Sequence, residues 1–323
     1  MFTGNKKWFF DAKFGMFIHF GLYSLLAGEY RGQRMPFIGE WIQSYFNIPN
    51  DEYHQLTKVF NPIYFNADEW ARLADDAGMK YMVVTSKHHE GFALYKSDNS
   101  AFNSADGTPF KRDIIEELAN ACAKKGLKFG LYYSQALDWS HPHGGGYKAG
   151  HTNVGVMSWT NDWDFPDNGN KNFTVCFEEK IKPQVKEILT QYGDLCLIWF
   201  DTPFDITKDQ SLELYNMVKQ YQPDCLINSR IGVDSKCDYK SAHDNEIVEN
   251  NEEGLLYESP GTLNDTWGFK YYDDNWKSPE RVVEIKNILN KRGINYLLNI
   301  GPDHLGRFPA PAIEILKKAG KLI

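Results

Sequence analysis

Four times along the chain a helix-like stretch runs into a glycine and then, within a few residues, into an apolar run: "LADDAGMKYMVV", "ACAKKGLKFGLYYS", "LTQYGDLCLIWFD" and "LNKRGINYLLNIG". Gly78, Gly126, Gly193 and Gly293 stand where a helix needs a left-handed residue after its last turn. The apolar runs are about five to seven residues long and do not alternate, as expected of parallel strands buried on both faces. The polar halves carry helical periodicity. From Arg112 to Lys125, the residues Ile114, Ile115, Leu118, Ala121 and Cys122 fall on one face, with Glu116, Lys124 and Lys125 elsewhere. Asn66 is placed to cap "NADEWARLADDAG", and Ser278-Pro279 puts a cap and an N1 proline ahead of a helix reaching Lys291.

The pattern gives seven strands: Gly15–His19, Tyr81–Ser86, Phe129–Ser134, Cys196–Asp201, Cys225–Ser229, Leu255–Glu258 and Tyr296–Ile300. No G-x-G-x-x-G opens any unit, so the alternation predicts an α/β fold of the (β/α)8 TIM-like barrel type over a doubly wound sheet. Seven strands leave an imperfect barrel open. The long connections 22–60, 135–170 and 231–254 all follow strands and so belong to the C-terminal face, where barrels build their sites. No linker or low-complexity tract divides residues 1–323, which read as one catalytic barrel domain.

Polar and aromatic residues gather where the strands end. The first run ends at His19 and the second at His88-His89. The third ends at Tyr132-Tyr133-Ser134, with Asp138-Trp139 beyond, and the fourth at Trp199-Phe200-Asp201. The fifth reaches Asn228-Ser229-Arg230, and the sixth Glu258, followed by Trp267. A lone histidine after a strand is usually a satisfied structural residue; three at equivalent ends point to a site. Asp201 closes the apolar "LCLIWFD" but caps no nearby helix, since the next starts only around Lys208. Glu40-Trp41 sits in the first long loop, and "DNEIVENNEEG" rises toward the same face. "HPHGGGYKAGH", with His141, His143 and His151, reads as flexible surface.

Composition narrows the chemistry. Lys and Arg number 35 against 43 Asp and Glu, a net charge of −8, which argues against nucleic-acid or anionic-membrane partners. No apolar run approaches the roughly 20 residues of a membrane span. The first residues lack the apolar core of a signal peptide, which leaves the compartment open. The five cysteines are scattered without a C-x-x-C pair, so neither a disulfide framework nor a zinc site is expected. Carboxylates among His, Tyr, Trp and Arg, with no G-x-S-x-G, suit glycoside hydrolysis, in which one carboxylate attacks and another protonates the leaving oxygen. Two alternatives remain. One is a metal-dependent barrel hydrolase on His19, His88, His89 and Asp201, although adjacent His88 and His89 would point to opposite faces of an extended strand. The other is a non-catalytic sugar-binding barrel.

"WFFDAKFGMFIHFGLYS", "GEW", "FNADEWARLADDAGMKYMVVTSKHHEGFALY", "RDIIEELANACAKKGLKFGLYYS", "LIWFD", "DTWGF" and "NYLLNIGPDHLGRFP" carry, in this order, a resemblance to the α-L-fucosidases of glycoside hydrolase family 29. The resemblance implies a retaining exo-α-L-fucosidase on a (β/α) barrel, without metal or other cofactor, acting on a fucosylated oligosaccharide or glycoconjugate. It implies Asp201 as nucleophile and His19, His88 and His89 as partners of the sugar hydroxyls. Glu40, Trp41, Tyr133, Trp199 and Arg230 also match substrate-binding positions, with Trp267 beside the fucose methyl group. For the acid/base, Asp244 matches best, with Glu258 and Glu246 the further candidates. The chain stops with its last helical stretch, "PAIEILKKAGKLI", where many relatives continue into a β-sandwich domain.

Overall fold

The structure, a computed structural model, describes residues 2–151, 157–249, 251 and 254–323. Its main sheet is parallel and eight-stranded: β1 Phe14–Ile18, β2 Tyr81–Lys87, β3 Lys128–Tyr133, β4 Leu197–Phe200, β5 Leu226–Ile227, β6 Lys240–Ser241, β7 Tyr257–Thr262 and β8 Ile294–Ile300. The strands follow the order β5-β4-β3-β2-β1-β8-β7-β6. A parallel bridge between Asn228 and Tyr239 links the two ends, so the sheet curls into a (β/α)8-type barrel. All seven expected strands are present, with bounds moved by a few residues. The eighth, β6, lies inside the connection 231–254 that the sequence pattern assigns to loop.

Helix α2 (Ala67–Asp76) precedes β2, α3 (Ile114–Lys125) precedes β3, α4 (Lys182–Gln191) precedes β4, and α5 (Lys208–Tyr221) precedes β5. Helix α6 (Pro279–Lys291) leads into β8, and α7 (Ala310–Gly320) follows it. Among the described residues no α-helix covers the passages into β6 and β7. Local rules fix the ends. Asn66 accepts from Glu69 N, Asp113 from Glu116 N and Ser278 from Arg281 N, each satisfying a donor that helix geometry leaves free. Gly126 ends α3 at φ 70°, where a side chain would be strained. Just before α4 the chain makes a wide π turn, Phe177–Ile181.

Two apolar layers hold the barrel. Between sheet and helices pack Ile114, Ile115 and Leu118 of α3 with Val84 and Leu131; truncating one of these to alanine costs about 2–5 kcal/mol. Inside the barrel stand Phe17, Tyr81, Tyr132, Leu197, Trp199 and Leu297. An N-terminal helix, α1 (Gly4–Ala12), plugs the bottom, its Phe9 ring 4.6 Å from that of Tyr239.

Register decides which side chains face inward. Tyr132 pairs with Trp199 and Tyr133 with Phe200, so Tyr132 shares the inner face with Trp199. Along β2 and β3, Thr85 pairs with Tyr132 and Lys87 with Tyr133, leaving Ser86 as a bulge that resets the alternation. Bulges of this kind re-aim side chains beside active sites.

Candidate active site

A cavity of about 370 Å³ opens at the C-terminal end of the barrel, between the ends of the strands and their long loops. Its floor is a column of rings. His88 stacks on Tyr132 at 5.4 Å and Tyr132 on Trp199 at 5.6 Å, while the Arg230 guanidinium lies 4.7 Å over Trp199.

Asp201 emerges just past β4, held from three sides. Its N–H donates to Gln135 Oε1 at 2.8 Å, Tyr132 Oη donates to its Oδ2 at 2.9 Å, and Arg230 Nη1 donates to its Oδ1 at 3.0 Å. The other arm of the same guanidinium, Nη2, donates to Asp244 Oδ1 at 2.6 Å and to the Ala242 carbonyl at 2.8 Å. One rigid fork therefore joins the two carboxylates, a geometry that arginine supplies and lysine does not. They differ in setting: the Asp201 side chain is 13% exposed and that of Asp244, on its loop, 47%.

The three histidines line the same cavity. His19 Nδ1 lies 2.8 Å from Asn299 Oδ1, and Asn299 Nδ2 donates to the Trp267 carbonyl at 2.8 Å. Asn299 thus presents its oxygen to His19, which must donate from Nδ1 and keep Nε2 as an acceptor. His89 Nδ1 meets Ser134 Oγ at 2.7 Å, and that hydroxyl spends its proton on the Leu137 carbonyl at 2.9 Å; the same logic makes His89 Nε2 an acceptor. His88 Nδ1 is buried without a hydrogen-bond partner among the described residues. Burial lowers the His19 pKa to about 4 and holds His88 and His89 well below the usual range. All three are neutral at physiological pH, each with one donor and one acceptor nitrogen. Adjacent His88 and His89 both face the cavity because β2 ends at Lys87 and the chain turns there; their rings stand 4.0 Å apart. The expectation of opposite faces does not apply beyond the strand.

Glu40 is 2% exposed, accepts from Gly268 N at 2.8 Å, and is pushed up to about 8 by burial. Trp41 meets the His89 ring at 5.2 Å, and Trp267 stands 6.0 Å from Phe17, forming an apolar wall.

Of the residues expected from sequence, His19, Glu40, Trp41, His88, His89, Trp199, Asp201, Arg230, Asp244 and Trp267 line this cavity. Tyr133 does not. The register turns it outward, where its hydroxyl donates to Gln184 at 2.8 Å, and Tyr132 takes the inner place. Glu258 is fully buried inside the barrel and outside the cavity lining, gripped by Tyr81 Oη at 2.6 Å and Trp199 Nε1 at 2.9 Å. Its pKa is pushed up to about 7 by burial, against those two donors. Glu246 turns back to accept from His243 N at 3.0 Å. The Gly-rich loop is surface at Pro142, Lys148, Ala149 and His151, but Gly144, Gly145 and Gly146 are packed: Gly146 N donates to Asp205 at 2.7 Å, and a Cβ on Gly144 would stand 2.1 Å from the Asp138 carbonyl. Sequence reasoning missed Phe17, Tyr132, Thr202 and His243, and at the rim Phe37, Ile38, Met157 and Trp159. Neither Tyr132, whose inward place follows from its inter-strand pairing with Trp199, nor the rim residues carry a local sequence signal.

A (β/α)8 barrel with two carboxylates at its C-terminal mouth, ringed by neutral histidines and aromatic faces, has the make-up of a glycoside hydrolase. The family model for alpha-L-fucosidase matches residues 3–323. The alpha-L-fucosidase of Dictyostelium discoideum is 28% identical over 97% of this chain and 68% of its own length, and the tissue alpha-L-fucosidase of Bos taurus 28% over 97% and 66%. The chain thus spans about two-thirds of these curated relatives. Among solved structures, the alpha-L-fucosidase AlfC of Lactobacillus casei in complex with its α-L-fucose product superposes with a TM-score of 0.95 at 54% identity, covering 99% of this chain and 98% of that one. The alpha-L-fucosidase of Vibrio sp. strain EJY3 gives 0.90 at 38% identity, covering 98% and 54%. The chain belongs to the alpha-L-fucosidase family.

Proposed function

We propose that residues 1–323 act as one catalytic unit, a retaining exo-α-L-fucosidase that releases terminal α-L-fucose from fucosylated oligosaccharides or glycoconjugates. The observation that carries this reading is the Asp201–Arg230–Asp244 bridge, which brings two carboxylates of unequal exposure to one sugar-sized cavity. Asp201, fixed on three sides, attacks the anomeric carbon and forms a fucosyl ester. Asp244, on its exposed loop, leaves Arg230 and takes up a proton from solvent, gives that proton to the departing oxygen, and later takes one from the water that cleaves the ester. Arg230 then serves Asp201 alone.

The neutral histidines and the protonated Glu40 hold the ring hydroxyls, and Trp267 with Phe17 receives the methyl group. No cofactor takes part. Phe37, Ile38, Met157 and Trp159 at the rim suit an aglycone with an apolar face. The Lactobacillus casei enzyme has been captured, as an aspartate-to-alanine variant, with 4-nitrophenyl-α-L-fucopyranoside and with Fucα(1,6)GlcNAc; both are first substrates to try here.

Release of nitrophenol from 4-nitrophenyl α-L-fucoside tests the reading. Wild-type protein should turn the substrate over, and Asp201→Ala should lower kcat by about 10³-fold or more while remaining folded. A folded wild type inert toward both fucosides, or an Asp201→Ala variant of near-normal rate, contradicts it.

A further inference from the structure

Behind the histidine pair lies a buried charge cluster that the sugar chemistry does not use. The side chains of Lys87 and Asp138 are both 0% exposed and meet at 2.9 Å; Lys180 reaches the same Asp138 oxygen at 2.8 Å. The other oxygen accepts from Ser140 Oγ at 2.6 Å. Two cations thus face one carboxylate, leaving a net positive charge in the interior. Buried charge is costly unless paired, and one lysine would suffice to pair Asp138. Both lysines are put there by irregular backbone: the Ser86 bulge turns Lys87 outward, and the π turn Phe177–Ile181 carries Lys180. Such irregularities concentrate at functional sites.

The cluster is tied to the ring pair. Ser134 N donates to the Lys87 carbonyl at 3.0 Å, and Trp139 N, next to Asp138, donates to the His89 carbonyl at 2.7 Å. Several groups face the two rings. Past β1 these are His19 and Tyr23, each 5.6 Å from His88; in the first loop, Trp41 with Glu40 beside it. From β3 comes Tyr132, whose hydroxyl reaches Asp201, and from the loop beyond it Trp139 and Asp138. Their own segment adds Lys87 and Glu90. Lys87 is the cation of this set.

We propose that Lys87 is a positioning residue of the sugar site: its surplus positive charge sits behind His88 and His89, fixes where β2 ends, and keeps both rings uncharged in acid, so each still offers a donor and an acceptor to the sugar. The inference rests on the fucosidase reading for its purpose, not for its physics. Burial is the first cause of the low pKa of both histidines, and the Lys87 charge acts in the same direction on each.

Two variants separate this role from a structural one. Lys87→Met leaves the Asp138–Lys180 pair and Lys180→Met leaves the Lys87–Asp138 pair, so a merely structural role makes them alike. Histidine-labelled protein is titrated by NMR, and inhibition by L-fucose is followed over the same pH range. In Lys87→Met the pH at which the imidazoles titrate and L-fucose binding weakens should rise by about one unit, and in Lys180→Met by half of that or less. Equal shifts, or rings neutral in all three proteins down to pH 4, overturn the proposal. Should Lys87→Met not fold, Lys87→Gln replaces it. The NMR arm needs no turnover, so failure of the fucosidase reading would leave it interpretable.

Discussion

Asp244 and Asp201 share one arginine but not one task, and the difference can be read in single substitutions. If Asp244 protonates the leaving oxygen, Asp244→Ala should slow natural disaccharides by about 10²–10⁴-fold and nitrophenyl fucosides far less, because nitrophenolate departs without a proton. Equal losses on both substrates would remove Asp244 from that role. Glu40 makes a different demand. With a pKa of about 8 it keeps its proton at neutral pH and can donate to the sugar; Glu40→Gln keeps a donor and the carbonyl that Gly268 N needs. The wild-type KM should rise as pH passes 8 while that of Glu40→Gln stays level, and Glu40→Ala should lose about 10–100-fold in kcat/KM at every pH. A wild-type KM flat to pH 9 would mean that Glu40 does not bind as an acid. At this scale the sequence was a good guide at His19, His88, His89 and Asp201, where the strand ends as expected. It was not at Glu258, because β7 runs on to Thr262 and leaves that carboxyl inside the barrel. It misled at Tyr133, since side-chain direction depends on a register with Trp199 that no local pattern contains.

Among the elements, β5 and β6 carry the seam, and their weakness explains why one of them could not be read. β6 is Lys240–Ser241, two residues with no apolar run, bounded by an acidic connection; its pairing comes from neighbours rather than from its own preference. β5 is equally short, but its apolar flanks reveal it. Beyond the short backbone ladder Leu197–Leu226 and Ile198–Ile227, the side chain of Asn228 joins β5 to the strand that leads to Asp201. Its Oδ1 accepts from Phe200 N, and its Nδ2 donates to the Phe200 carbonyl, both at 2.9 Å. The carboxamide thus acts as one more rung of the sheet, at the residue before Asp201. Asn228→Ala should cost about 2–3 kcal/mol for the two buried bonds and loosen the nucleophile. Denaturant melts and kcat measured together would check this; an unchanged midpoint with full activity would show that the clamp is dispensable.

For the molecule as a whole, the price of a polar pocket in a barrel interior is a set of groups held in their neutral forms, and their signs predict how stability varies with pH. Burial raises Glu40 and Glu90 to about 8 and Glu258 to about 7, against 4.5 for an ordinary glutamate. Each native carboxyl keeps a proton that the unfolded chain releases, so its contribution is full below pH 4.5 and is lost as pH rises toward 7–8. The histidines act the other way. His19 falls to about 4, and His88 and His89 lie well below 6.5. The unfolded chain therefore gains protons that the native state refuses, and their contribution is present above pH 6.5 and lost as pH falls. The buried carboxyls and the histidines, His54 and His141 among the latter, oppose one another between pH 4.5 and 6.5, which should leave stability level or gently rising with pH there. Above 6.5 the histidines no longer titrate and only the carboxyls remain. At about 1.4 kcal/mol per pH unit for each such group, stability should drop by on the order of 3 kcal/mol between pH 6.5 and 8, a fall in Tm of about 5 °C. Calorimetry across pH 5 to 8 tests this directly. A Tm that is flat or rising from 6.5 to 8 would mean that the buried glutamates are ionised in the native state, and Glu40 would then meet the sugar as an acceptor only.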